Sequence, residues 1–552
     1  MPGEEAKLEE AKPVPVPAAP ATEAKLDDFI VLGRYTFIIC MLGEFLILNQ
    51  LGNMFYMMYA GAEPALTACG PTTFDTAWDA KTKCAKLAEL QNRTNCEAIL
   101  VPQFKSVNFD WGYYCANNKW VKQSVSIQMV GVIVGAIIFG QMSDSFGRKP
   151  ALLAALTGCI ATMFGSSFSQ DLIVFTIIRF LVNVFNGGCI AVQLVFSVEN
   201  LPKNDRFWIT NIITWSPNIV VFALIAYLAG DWRTLTRASA VLAIPAIIIL
   251  IFCCESPRFL LQRRQVDKLR AAIKRMYKID GRTLDEALLD SVIQRETEAA
   301  MELQKKQKRY NYLHLFYTTK LARYATAVGF SLLTTSLITY SLLFNMEKLS
   351  GSIYMNSIIM GCFRYTLNLI TAIADKRVKW LGRKTVHAIA EGFIMLALLF
   401  FITVYLLGMQ KDLRLACSLA ILSVMGQTTL LFSTNGVISS ELFPTGIRNT
   451  SFSFGQVLSR IGVVLAPQLF FLADFWTPLP YFTLLALAIA DFIFFHFNID
   501  ETKGKPLPTN MPNKADSWFH QRRMAKNRAA NGEPAATELL PVTDEGNMVK
   551  DQ

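Results

Sequence analysis

The sequence predicts an all-α membrane protein whose twelve transmembrane helices form two bundles of six. Three observations carry this prediction. Of 552 residues, 52% are apolar and only 17% charged, against about 25% charged in an average soluble protein; mean hydropathy is +0.33. The apolar residues fall in blocks long enough to cross a bilayer, about 20 residues each. A long basic stretch divides those blocks six and six. The same composition excludes disorder for the bulk of the chain. Lys plus Arg is 53 and Asp plus Glu 43, a net charge of +10. In a membrane chain that surplus bears on sidedness rather than on nucleic acid.

Residues 1–34 are polar and carry Pro13, Pro15, Pro17 and Pro20, which reads as a disordered cytosolic tail without a cleavable signal. The first bundle, 35–261, holds spans at 35–58, 121–143, 151–169, 172–198, 207–229 and 238–254. A cytosolic helical linker occupies 262–322. The second bundle, 323–498, holds spans at 323–346, 352–374, 386–408, 413–438, 450–473 and 479–498, and 499–552 is a cytosolic tail.

Two connections are long. Residues 60–120 contain Cys69, Cys84, Cys96 and Cys115 and a glycosylation sequon at Asn92. Four clustered thiols beside a sequon fit an oxidising exterior and two disulfides of undetermined pairing. No C-x-x-C knuckle favours zinc. The linker 262–322 carries fourteen Lys/Arg against eight Asp/Glu and reads as two amphipathic helices. Val266, Leu269, Ile273 and Met276 form one stripe, and a capping box from Thr283 to Glu286 opens the next helix. Arg148-Lys149, Lys376-Arg377 and Arg383-Lys384 in the short loops fall on the same side as the linker. Both termini are therefore expected to be cytosolic.

The loop after the second span reads Gly140-x-x-x-Asp144-x-x-Gly147-Arg148-Lys149. Glycine at 140 would let helices approach closely, Gly147 would allow a tight turn, and Asp144 would lock one state of the two halves. Glu199 with Arg206, Glu255 with Arg258 and Glu441 with Arg448 repeat a carboxylate-plus-cation design at this rim. One such exposed pair contributes only about 0–1 kcal/mol; repetition in both halves favours a gate over solvated charge. The matching loop of the second half is stretched between Asp375 and Gly382-Arg383-Lys384, so no twin of Asp144 is expected there.

Together with Glu255-Ser256-Pro257-Arg258, Glu441-Leu442-Phe443-Pro444 and Asp500-Glu501-Thr502-Lys503-Gly504, these motifs resemble the major facilitator superfamily. Within it they are similar to solute carrier family 22, the organic cation, anion and zwitterion transporters. The resemblance spans about 33–508. It implies an alternating-access carrier in the plasma membrane, with a small organic ion as substrate and the lipid bilayer as surroundings. A coupling ion or exchange anion is left open, and no cofactor, metal or nucleic acid is implied.

Three ionisable residues lie near span centres, where charge costs about 2.5–3.5 kcal/mol: Glu44, Arg364 and Arg460. If Glu44 staples one arginine, one positive charge still remains. An arginine fork suits a carboxylate or sulfate, so an organic anion or a carnitine-like zwitterion is preferred over a cation. In the family resemblance, Arg460 stands where cation-carrying members place an aspartate. Trp215, Phe222, Tyr340, Phe344 and Phe432 are candidate cavity walls, with Asn211, Ser433 and Gln456 as polar neighbours. Glu391 and Asp491 lie nearer the cytosolic ends, where snorkelling accounts for them. The role of Arg179 is left open. No metal spacing among the four histidines and no phosphate loop supports an enzyme. The alternatives are an organic cation transporter and a non-transporting sensor or binding protein on the same fold.

Overall fold

The computed structural model of the chain describes residues 24–75, 78–203, 205, 209, 213–306, 311–378, 380–444, 446–505, 508 and 511–512. The membrane helices, α1 to α12, are Arg34–Ala60, Asn118–Phe146, Arg148–Ser166, Leu172–Asn200, Trp215–Ala229, Trp232–Phe252, Thr319–Leu343, Ile353–Arg377, Arg383–Leu406, Arg414–Leu442, Arg448–Leu469 and Leu479–Asn498. Among the described residues, eleven helices are long and apolar enough to cross a membrane. The remaining one, α5, has 15 described residues, and Arg206 and Asn211 lie outside the described residues.

Helix starts follow capping side chains rather than hydropathy. Asp231 accepts from Thr234 N at 2.9 Å, so α6 begins at Trp232 and takes in Arg233 and Arg237, six residues ahead of the predicted span. Asp171 and Thr318 cap α4 and α7 in the same way. In the linker, Asp285 rather than Thr283 caps the second helix, accepting from Leu288 N at 3.0 Å.

In the first bundle α2 and α3 pack on α4, α3 on α6, and α1 on both α5 and α6; in the second, α7 packs on α11, α10 and α12, and α9 on α10 and α12. The seams α2–α4 and α7–α11 correspond, and glycine makes both. A Cβ on Gly135 would fall 1.7 Å from Val184 O, and one on Gly462 2.4 Å from Leu333 O. Gly140 does not perform this role: a Cβ there meets nothing within 4 Å.

The bundles meet through α5–α8 and α2–α11. The hydrogen bonds joining them gather at the end that carries loop 60–120. Tyr59 donates to Ser357 at 3.0 Å, Lys122 to Asn345 at 2.7 Å, and Gln468 to Ser126 at 2.9 Å. That loop forms a three-stranded antiparallel sheet, β1 (Ala65–Cys69), β2 (Thr72–Thr73) and β3 (Ala98–Val101), in the order β2-β1-β3. Disulfide Cys69–Cys96 ties β1 to the segment between the helix Ala80–Thr94 and β3, and Cys84–Cys115 ties that helix to the chain just before α2; Asn92 is exposed on the helix.

The opposite, basic end carries the linker helices Pro257–Gln262, Val266–Asp280 and Glu286–Lys306. They are strapped to the first bundle. Tyr35 N donates to Asp280 at 2.7 Å, Leu26 N to Glu296 at 2.8 Å, and Arg258 Nε to Asp27 at 3.0 Å. Leu269, Ile273 and Met276 join the buried core of that bundle, as their stripe predicts.

Candidate functional site

The basic end holds two charge networks of the same design, one per bundle. In the first, Gly147 ends α2 at φ 117°, a backbone that favours glycine, and a Cβ on it would sit 2.4 Å from Glu255 Oε2. This close approach lets Glu255 accept from the freed N–H groups at the start of α3, Arg148 at 3.1 Å and Lys149 at 3.1 Å, and from Ser256 N at 2.8 Å. The carboxylate satisfies the orphan donors of a helix N-terminus. The Arg148 side chain, itself buried, reaches Asp144 at 2.6 Å and Glu199 at 3.4 Å.

The second bundle repeats this arrangement. A Cβ on Gly382 would meet Glu501 at 2.1 Å. Glu501 accepts from Arg383 N at 2.8 Å, Lys384 N at 3.0 Å, Thr502 N at 3.0 Å and Lys503 N at 3.0 Å. Arg383 pairs with Asp375 at 2.5 Å and lies 3.7 Å from Glu441; Lys503 adds a bond to Asp375 at 3.1 Å. Asp375 is therefore the twin of Asp144. The expectation of no twin is corrected: the longer connection does not keep the same groups from meeting.

The structure also corrects the predicted partners of Glu255 and Glu441. Glu255 does not pair with Arg258, whose carboxylate is Asp27. Glu441 takes Arg383 and the Thr502 hydroxyl at 2.5 Å rather than Arg448, while Arg448 Nε reaches Phe443 O at 3.4 Å. Glu199 takes Arg148, and its predicted partner Arg206 lies outside the described residues. Helix ends separated in sequence meet across each bundle, so the nearest charge in the motif is not the nearest in space. Burial pushes the Glu255 carboxyl up, against the backbone N–H groups that donate to it and pull it down. At Glu501 burial also acts upward, but four backbone N–H groups outweigh it and hold the carboxyl below its ordinary value.

Of the charges deep in the spans, Glu44 is half-buried and accepts from Asn218 Nδ2 at 2.8 Å; among the described residues it is not stapled to an arginine. Arg364 is buried, and its guanidinium donates to Met425 O at 3.2 Å. Arg364 and Arg460 both lie within electrostatic reach of Tyr340, whose ring packs on Phe344 and Phe55 at 5.8 and 6.3 Å. Among the described residues neither arginine has a carboxylate within 4.0 Å. Gln456 is half-buried one turn from Arg460, and Trp215 packs on the same apolar cluster as Tyr340 and Phe344. Phe432 lies apart from these, against a cluster at the basic end with Leu321 and Phe443, and Ser433 is exposed.

Two features escaped the sequence. Arg179 is fully buried, 4.0 Å over the Tyr56 ring and donating to Asn53 at 3.3 Å. Glu391 and Asp491 do not snorkel: both are 0% exposed, because α9 and α12 turn them toward each other instead of toward the rim.

Two six-helix bundles with matched charge networks at one end define a carrier of the major facilitator superfamily. The chain belongs to the sugar (and other) transporter family, which matches residues 80–510. It is a membrane transporter of the solute carrier family 22 type. It is 27% identical over 432 residues to the organic cation transporter-like protein of Drosophila melanogaster, covering 75% of this chain and 73% of that one. It is 26% identical over 428 residues to organic anion transporter 3 of Mus musculus, covering 76% of each. Solute carrier family 22 member 7 of Rattus norvegicus is 25% identical over 373 residues, covering 67% of this chain and 68% of its own. The inward-open xylose transporter XylE of E. coli superposes with a TM-score of 0.60 at 16% identity, covering 85% of this chain and 98% of its own.

Proposed function

We propose that this transporter carries small organic anions or zwitterions, the acidic group docking between Arg460 and Arg364. The observation that carries the reading is the pair of arginines beside Tyr340, facing no carboxylate among the described residues, while Glu44 is occupied by Asn218. A guanidinium in a low-dielectric site without a counter-ion leaves room for an anionic ligand. Tyr340, Phe344 and Trp215 supply apolar wall for the organic part. A zwitterion would place its cationic end toward Glu44.

In this reading loop 60–120 is extracellular, the basic end and both termini face the cytosol, and the protein resides in the plasma membrane. The bundles are bonded together at the disulfide end, which supports an inward-facing state. The paired networks around Arg148 and Arg383 then act as the gate when that end closes.

The test is uptake into proteoliposomes with labelled para-aminohippurate, carnitine and tetraethylammonium in competition. Arg460→Asp should reduce uptake of the anion far more than of the cation; equal loss of both would make Arg460 structural. A cation-only carrier would take up tetraethylammonium alone, and a sensor would bind without flux.

A further inference from the structure

The second bundle buries two acids and a histidine that the proposed substrate site does not use. His387 and Glu391 lie one turn apart on α9, and Asp491 faces them from α12; none is more than 1% exposed. A ligand-capable atom of each lies within 4.8 Å of the other two. Ser331 of α7 donates to Asp491 Oδ2 at 2.9 Å, and Asn435 of α10 donates to Ser331 at 2.8 Å. His387 Nε2 stands 2.9 Å from Ser331 Oγ and 4.0 Å from Asp491 Oδ2, its ring stacked on Phe495. These are the titratable and polar groups that α7, α9, α10 and α12 turn toward the acids.

Both oxygens of Glu391 and Oδ1 of Asp491 are buried without a hydrogen-bond donor among the described residues, and no lysine or arginine pairs with either acid there. Two carboxylates facing each other in a dry interior do not both ionise. One proton turns a carboxyl into a donor and supplies the orphan oxygens with a partner. We propose that Glu391 and Asp491 hold one proton between them, and that this proton is the coupling ion of the carrier.

The coupling half of the proposal rests on the transport reading above. Its position supports it. Glu391 lies two turns beyond Arg383 on α9, and Asp491 lies two turns before the end of α12, just past which Glu501 follows, so the pair sits beneath the second charge network. Ser331 links it to α7, the helix that carries Tyr340. Losing the proton would set two like charges across the α9–α12 seam, which opening and closing of that network would relieve or oppose.

Infrared spectroscopy of the purified protein tests the site without transport: a protonated-carboxyl band should be present in wild type and lost in Glu391→Gln. Absence of the band from wild type overturns the proposal. So does stoichiometric zinc in the purified protein that Glu391→Gln removes, since the ligand would then be a metal. Coupling is read in proteoliposomes as the ratio of uptake with and without an inward acid gradient, using whichever member of the panel above is transported. One proton per cycle allows about tenfold accumulation per pH unit. The ratio should rise in wild type and fall to about one in Glu391→Gln and Asp491→Asn. Wild-type flux with no response to the gradient, or an equal response in the variants, overturns the coupling and leaves the carrier reading intact. No flux under any gradient overturns the carrier reading, with the infrared band still judging the site.

Discussion

Replacing Glu501 by glutamine should destabilise the protein more than the same change at Glu255, and the difference should depend on pH. The geometries match. Glu501 Oε1 takes three amides, Arg383, Thr502 and Lys503, and Oε2 takes Lys384. Glu255 Oε1 takes Arg148, Lys149 and Ser256, and Oε2 takes Lys149. Glutamine can keep its oxygen on the three-amide side, so one charge-assisted bond is lost and an NH2 is set against an N–H. At these half-buried sites the loss is about 1.5 kcal/mol.

The opposite shifts then separate the two positions. The Glu501 carboxyl is held low, so its contribution is present above the unfolded value near about 4.3 and is lost as pH falls through the folded value. The Glu255 carboxyl is pushed up by burial. Its contribution is present below the unfolded value and fades as pH rises, so glutamine there relieves a burial cost at neutral pH. Thermal unfolding of the purified protein, followed by tryptophan fluorescence from about pH 2.5 to about pH 8, should show the Glu501→Gln deficit at neutral pH, about 1–3 °C in Tm, shrinking below about pH 4. Glu255→Gln should sit near wild type at neutral pH. Equal deficits for the two variants, or a Glu501→Gln deficit that grows toward acid, would refute the reasoning.

Alanine at Gly147 should cost more than alanine at Gly382. Both meet a carboxylate, but only Gly147 has a left-handed φ, adding about 1–3 kcal/mol; abundance of folded protein by gel filtration would show it. Cys84→Ser opens a 31-residue separation and should cost about 3–4 kcal/mol in the outer-loop unit, seen as faster proteolysis of 60–120 with the helices intact. Asn92→Gln should abolish a glycan-dependent mobility shift if loop 60–120 faces the exterior; an unchanged shift would place any glycan elsewhere.

Hydropathy made the spans legible because a bilayer filters residues by a single property over about 20 positions. The cysteines were legible as disulfides by count and context, but not in pairing; the pairing of β1 with β3 sets Cys69 beside Cys96, which leaves Cys84 to Cys115. The charge networks were only half legible. Composition placed Glu255, Arg148, Glu441 and Glu501 at one rim, yet the partner of each was set by which helix ends converge, and this is not a local property. Asp375 was obscured because residues added between it and Gly382 disturb sequence spacing without disturbing the meeting point. Glu391 and Asp491 looked like interfacial residues from their distance to the helix ends. Their rotation about the helix axis, fixed by packing, decides instead that they face each other.

The strapping of the linker has a mechanical consequence. Because Asp27, Asp280 and Glu296 bind the N-terminal segment and the linker helices together with α1, these parts travel with the first bundle as one lever arm. Glu501 and Lys503, by contrast, are anchored to the second. A spectroscopic label at exposed Ser291 and another at exposed Lys505 would thus sit on opposite arms, and the distance between them would read the rocking angle of the molecule from its aqueous face.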